Sequence, residues 1–172
     1  NGVCLQSATS HYFGQKFSKA YDIKFSNREN KLDYVYQTSW GSTTRMIGAL
    51  IMVHSDDYGL VLPPKIAPRQ VVIVRVKDDV NVNTLAEDLC NKLNDNNITT
   101  YIDYSNNSAG FKFAEAEVNG IPIRIEIGPR DLEENNITFA RRDIDEKVKI
   151  SLSANIVEEV EKMLEKIQNS LY

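Results

Sequence analysis

Three prolines within LPPKIAPRQ, namely Pro63, Pro64 and Pro68, constrain this 172-residue chain more than any other feature. Each proline fixes φ at about −65° and removes a backbone donor, so neither a helix interior nor a central strand runs through the segment. A boundary is expected at Pro68, dividing the chain into residues 1–68 and 69–172.

Beyond the seam the hydrophobic period switches between two and 3.6. VVIVRV (71–76) is a continuous β-branched run, as in a strand covered on both faces. A helix over roughly 82–95 comes next, with Leu85, Leu89 and Leu93 on one side and Asn81 or Asn83 as its cap. ITTYIDY (98–104) reads as a strand. GFKFAEAEVNG fits either a helix or a strand-like alternation; the short helix is favoured, with Phe111, Phe113, Ala114 and Val118 inward and Asn119–Gly120 as its stop. IPIRIEIG (121–128) alternates strictly, Ile121, Ile123, Ile125 and Ile127 against Arg124 and Glu126, so one face is apolar and the other polar and open. PRDLEENN is a turn or a single helical turn, ITFARRD another strand, and ANIVEEVEKMLEKIQNSLY an amphipathic helix capped by Ser153 or Asn155. Such alternation predicts an α/β domain, a mixed sheet of about five strands flanked by helices.

Ahead of the seam, YDIKFSNREN and KLDYVYQTS read as an antiparallel pair joined by a polar turn at 26–31. MIGALIMVHSD is expected to form a buried helix, and GLVLPP a short last strand.

Residues 1–68 hold 7 Lys+Arg against 5 Asp+Glu, and residues 69–172 hold 13 against 19. That balance excludes broad nucleic-acid coating, so an RNA contact in the second part must use a few placed groups. No apolar run approaches the roughly 18 residues of a membrane span, and the first residues lack a secretory pattern. The start at Asn1, without an initiator Met, is expected to mark a piece of a longer chain. Cys4 and Cys90, with two histidines, signal neither a disulfide framework nor a zinc site; two free thiols are expected.

Three segments carry chemistry. SATSHYFGQKF sets hydroxyls beside Gln6, His11 and Gln15, groups that hydrogen-bond a small polar ligand without fixed charge, although His11 also reads as an ordinary surface or core histidine. No base and acid accompany a serine as a nucleophilic triad requires. TSWGSTTRMIGA places Trp40, Thr43 and Arg45 just before a helix. A guanidinium there suits a phosphate or a purine, or else a structural pair with a carboxylate. Neither GxxxxGKS nor GxGxxG is present. In GFKFAEAEVNGIPIRIEIGPRD, Lys112, Glu115, Arg124, Glu126, Arg130 and Asp131 offer donors and acceptors together, as the edges of unpaired bases require; a solvated face with internal ion pairs gives the same pattern.

Taken in order, TSHYFGQKF, TSWGSTTRMIGALIMVHSDDYGLVLPPKIAP and GFKFAEAEVNGIPIRIEIGPRD resemble prolyl-tRNA synthetases of the eukaryote-like and archaea-like type, over about residues 4–150. RMIGALIMVHSDDYGLVLPP looks like the third class II synthetase motif of that family. The resemblance implies that 1–68 ends a class II catalytic domain, built on an antiparallel sheet, and that 69–172 is an α/β anticodon-binding domain. The parent would be a cytoplasmic enzyme that activates proline with ATP and magnesium and transfers it to tRNA(Pro). By this resemblance Gln6, Thr9 and Arg45 bind ATP, with Arg45 the catalytic residue; His11, Thr43 and Trp40 line the proline pocket. Lys112, Glu115, Arg124, Glu126, Arg130 and Asp131 face the anticodon. No metal is expected in this stretch, zinc belonging only to a further carboxy-terminal domain. The other two class II motifs and the homodimer interface would lie upstream, leaving this piece inactive alone. Departures from the family pattern are Lys16 for asparagine, Ser55 for glycine, and Ala109 and Ala116 where proline and tryptophan are frequent; SNNS also lacks the basic residue often found before GFKF.

Overall fold

A computed structural model describes residues 4–144 and 146–171, and the chain divides into two compact units, one ending at Val53 and the other starting at His54. The division precedes the proline seam because residues 54–68 pack against elements beyond it. Leu62 N donates to Gly120 O at 3.4 Å, and Lys65 N to Gln168 Oε1 at 3.0 Å.

In the first unit β1 (Ala8–Gly14) is followed by α1 (Lys16–Ala20), β2 (Lys24–Ser26), β3 (Leu32–Tyr34), β4 (Gln37–Ser42) and α2 (Arg45–Val53). The expected hairpin is present as β2 and β3, paired antiparallel. β1 and β4 form a second antiparallel ribbon. The expectation of a buried helix is not met, for α2 has no buried residue. Two-stranded ribbons offer no face wide enough to cover a helix, and Ser18 alone is fully buried among the described residues of this unit.

The second unit opens with a small hairpin, β5 (Ser55–Asp56) and β6 (Gly59–Leu60). Then come β7 (Val71–Arg75), α3 (Val80–Asp95), β8 (Thr100–Asp103), α4 (Ala109–Val118), β9 (Ile123–Ile127), α5 (Pro129–Glu133), β10 (Asn136–Arg141), β11 (Lys147–Ser151) and α6 (Ile156–Ser170). The sheet order is β11-β10-β9-β7-β8, with β7 parallel to β8 and β9 and the other pairs antiparallel. This is the α/β mixed sheet of five strands expected from the sequence. KVKIS supplies its fifth strand, an edge that the hydrophobic pattern leaves unassigned.

One face of the sheet, including Val71, Ile73, Ile123, Ile125, Ile127 and Phe139, packs against α3 and α6 in a single apolar core. At about 25 cal/mol per Å² of apolar surface, this burial is the main stabilising contribution to the unit. The stripe expected on α6 is buried as Ile156, Val157, Val160, Met163, Leu164 and Ile167; Tyr172, the last residue of that expected helix, lies outside the described residues. The opposite face has a smaller core of Val72, Val74, Ala116 and Ile121 beneath α4.

Capping residues correct two details. The cap of α3 is Asp79, not Asn81 or Asn83, and it accepts from the N–H groups of Asn81 and Val82 at 2.9 and 3.3 Å. Ser108 caps α4, and in the resulting register Lys112 and Ala116 point inward while Phe111, Ala114 and Val118 are exposed. Asn119–Gly120 ends α4 as expected, with Gly120 at φ 67°. That glycine interlocks with the hairpin: a Cβ on Gly120 would lie 2.5 Å from Leu60 Cβ, and one on Gly59 would fall on the backbone of Val118.

Cys4 and Cys90 are free thiols, the first exposed and the second half-buried on α3. No helix among the described residues is long and apolar enough to cross a membrane.

Candidate functional site

The sheet register explains how polar groups come together on the α4 face. Side chains on one row share a face, and one row runs Tyr101, Val72, Arg124, Ala140, Lys147; the next runs Asp103, Val74, Glu126, Thr138, Lys149. From β7 toward β11 the face therefore changes from apolar to polar. Beside that change lies a cavity of about 310 Å³, lined by Asp56, Tyr58, Glu117, Arg124, Arg142 and Lys147 among others.

Arg124 is the centre of this site. Its Nε donates to Glu126 Oε1 at 3.0 Å, its Nη1 to Glu117 Oε1 at 2.9 Å and to Phe113 O at 3.4 Å. The guanidinium also lies over the Phe113 ring, 4.5 Å from its centroid. Lys147 Nζ reaches Glu126 from the edge strand at 2.8 Å. Arg142 places Nε on Glu117 O at 3.0 Å and both terminal nitrogens on Asp56. The Arg142 guanidinium, with added help from the N–H groups of Tyr58 and Gly59, lowers the Asp56 carboxyl from 3.8 to about 2.

The polar strand face expected to be open is instead covered, with Arg124 and Glu126 each 8% exposed. Charges taken out of water must be paired, which is why the alternation of β9 ends in a network. Lys112 is buried too, on the β8 side of α4, where Nζ donates to Asp103 O at 3.3 Å and lies 3.8 Å from its carboxylate. Glu115 is exposed on α4. Arg130 and Asp131 sit past the end of β9 on α5, Asp131 accepting from Gly128 N at 2.9 Å. Of the six candidates in this unit, the cavity thus gathers Arg124 with Glu126 behind it. Glu117, Arg142, Asp56 and Lys147 were not singled out from the sequence. The spacing of Glu117 from Phe113, four residues on a helix packed over β7, is the signal that locates it once Ser108 fixes the helical register.

In the first unit Gln6, Thr9 and Arg45 come together. Gln6 Nε2 donates to Thr9 Oγ1 at 2.7 Å, and Arg45 Nη1 to Gln6 Oε1 at 3.3 Å. Among the described residues no carboxylate pairs with Arg45, and its guanidinium is exposed. Thr43 stands at the start of α2, its Oγ1 accepting from Arg45 N at 3.3 Å. His11 stacks on Phe13, centroids 5.5 Å apart. The ribbon pairs His11 with Ser39 and Ser10 with Trp40, so Trp40 projects from the face opposite His11 and Thr9. Hydrogen bonds thus join the three ATP candidates, whereas His11 and Trp40 project from opposite faces of the ribbon.

Residues 70–166 match the sequence profile of the anticodon binding domain. Over its full length the chain is 52% identical to the proline–tRNA ligase of Mycoplasma mycoides subsp. mycoides, 49% to that of Mycoplasmopsis synoviae and 51% to that of Chlorobaculum tepidum. Each alignment covers 100% of this chain and 36% of the relative, so the chain spans about a third of the proteins it matches.

Proposed function

We infer, from a chain that belongs to the anticodon binding domain family through residues 70–166 and is homologous from end to end to proline–tRNA ligases, that it is the anticodon-reading part and the adjoining edge of the catalytic domain of such an enzyme. Residues 1–68 are assigned to the catalytic domain and 69–172 to the anticodon-binding domain. The parent, a cytoplasmic homodimer assembled through residues outside this chain, makes prolyl-adenylate from proline and ATP and transfers proline to tRNA(Pro).

The observation that carries the reading is the cavity around Arg124. Its wall offers a carboxylate, Glu117, and a guanidinium, Arg124, beside apolar Ala116, Ile121 and Ala140. Acceptors and donors next to an apolar surface suit the edge and face of an unpaired base, whereas a phosphate site would need cations alone. Glu126 supports this wall from behind and Lys112 holds α4 to β8, while Glu115, Arg130 and Asp131 extend the surface toward the rest of the loop.

Gln6, Thr9 and Arg45 are assigned to ATP. The amide and hydroxyl suit the adenosine, and Arg45 is the catalytic group, stabilising charge that develops as the α-phosphate is attacked. This set contains no carboxylate and does not fit a divalent cation, so the magnesium used by the parent takes its ligands elsewhere. His11, Thr43 and Trp40 are assigned to the proline side, completed by the remainder of the catalytic domain. The same remainder covers the apolar face of α2, and the piece alone is inactive.

The test is binding of the 172-residue chain, at fixed salt, to tRNA(Pro) and to the same tRNA with its two shared anticodon guanines changed. Selective loss with the changed anticodon is expected; equal binding to both overturns the reading.

A further inference from the structure

The cavity holds as many acids as bases, yet its bases are not held alike. Arg124, Arg141, Arg142 and Lys147 line it together with Asp56, Glu117, Asp143 and Glu146. Arg124 and Lys147 are held by Glu117 and Glu126 from within the sheet and α4, and Arg141 by Asp143 two residues on, at 2.7 Å. Arg142 takes its carboxylate from a different element, the β5–β6 hairpin, 86 residues away in sequence.

That carboxylate is also held within its own hairpin. Asp56 Oδ1 accepts from the N–H groups of Tyr58 and Gly59 at 2.9 and 3.1 Å, and the hairpin is locked on α4 through Gly59 and Gly120. Arg142 then donates from all three guanidinium nitrogens, two to Asp56 and one to Glu117 O. An arginine fork fits a carboxylate and a phosphate equally well, and a phosphate contact carries no sequence information.

We propose that Asp56 is a specificity-determining residue of this cavity: it occupies the Arg142 fork, withholds it from backbone phosphates and leaves Glu117 and Arg124 to a base edge. The proposal rests on the anticodon reading of the cavity. It gives the hairpin a role in RNA selection, acting by suppressing affinity that any sequence would enjoy.

Binding of the chain is measured for the tRNA(Pro) anticodon stem-loop and for one with both guanines changed, across a salt series, with the wild type, Asp56→Asn, Asp56→Glu and the double variant Asp56→Asn/Arg142→Gln. Asp56→Asn is expected to bind the changed loop about threefold or more tightly, to lose discrimination, and to steepen the slope of log Kd against log salt by about 0.7 to 0.9, one extra phosphate. Asp56→Glu restores discrimination, and the double variant returns the slope to wild type because the freed charge is gone. Equal weakening of both loops by Asp56→Asn, with slope and ratio unchanged, is the signature of a merely structural pair and overturns the proposal, as does no change at all. A wild type that never discriminates overturns the anticodon reading itself. Thermal melts confirm that each variant is folded, and if Asp56→Asn is not, Asp56→Ser is put through the same series with the same deciding outcomes.

Discussion

Arg124 donates to Glu117 at 2.9 Å from the middle of a sheet, joining β9 to α4 through a guanidinium whose side chain is 9% exposed. Removing Arg124 leaves Glu117 without its partner and Glu126 with Lys147 alone, at a cost of up to about 3 kcal/mol. Arg124→Met is expected to lower the unfolding free energy by that order in urea titration. Arg124→Lys keeps the charge but loses the fork and the stacking on Phe113, and is expected to fall between the two.

Gly120→Ala is expected to destabilise the second unit by about 1 to 3 kcal/mol, since a side chain at φ 67° is strained and its Cβ would collide with Leu60. Ala at Gly110, which has open space, serves as the control and is expected to leave the midpoint unchanged or slightly raised within the helix. Urea midpoints of the two variants check the difference.

Much of this architecture is legible in the sequence because the second unit obeys simple rules. The unbroken run at 71–75 follows from burial on both faces, the strict alternation at 123–127 from one apolar and one polar face, and the stripe of α6 from a buried helical side. The ribbon of β1 and β4 is not legible: ATSHYFG and QTSWGS are mostly small and hydroxylated, without the apolar alternation that marks a strand. KVKIS is missed as an edge strand that buries only Ile150. The cavity is half legible. Alternation puts Arg124 and Glu126 on one face, but pattern alone treats a polar face as solvated, whereas the pairing across β9, β10 and β11 brings Lys147 to meet it. Asp56 and Arg142 are 86 residues apart, and no local pattern announces such a contact.

Acid sensitivity follows from Asp56. Its carboxyl is lowered from 3.8 to about 2, mainly by hydrogen bonds from Arg142, so the pair contributes its full stability above about pH 4 and loses it as pH falls through about 2. Wild type is therefore expected to lose stability more steeply than Asp56→Asn between pH 4 and 2. Urea unfolding at several pH values in that window checks it, and parallel curves would remove Asp56 from the account of acid stability.

Arg45 is exposed and pairs with no carboxylate among the described residues, so Arg45→Ala is expected to leave the melting temperature of the chain unchanged. In the parent enzyme the same change is expected to slow proline-dependent ATP–pyrophosphate exchange by about 10²- to 10³-fold, the usual cost of one donor aimed at developing charge. Steady-state exchange kinetics at saturating proline check it.

The claim that the Arg124 cavity receives an anticodon base is tested most directly by NMR mapping of the chain with the tRNA(Pro) anticodon stem-loop. Amide shifts are expected to concentrate at Phe113–Glu117, Arg124 and Ala140–Arg142, and to collapse when the two guanines are changed. Shifts on the α3 and α6 face, or the same shifts with both loops, would contradict it.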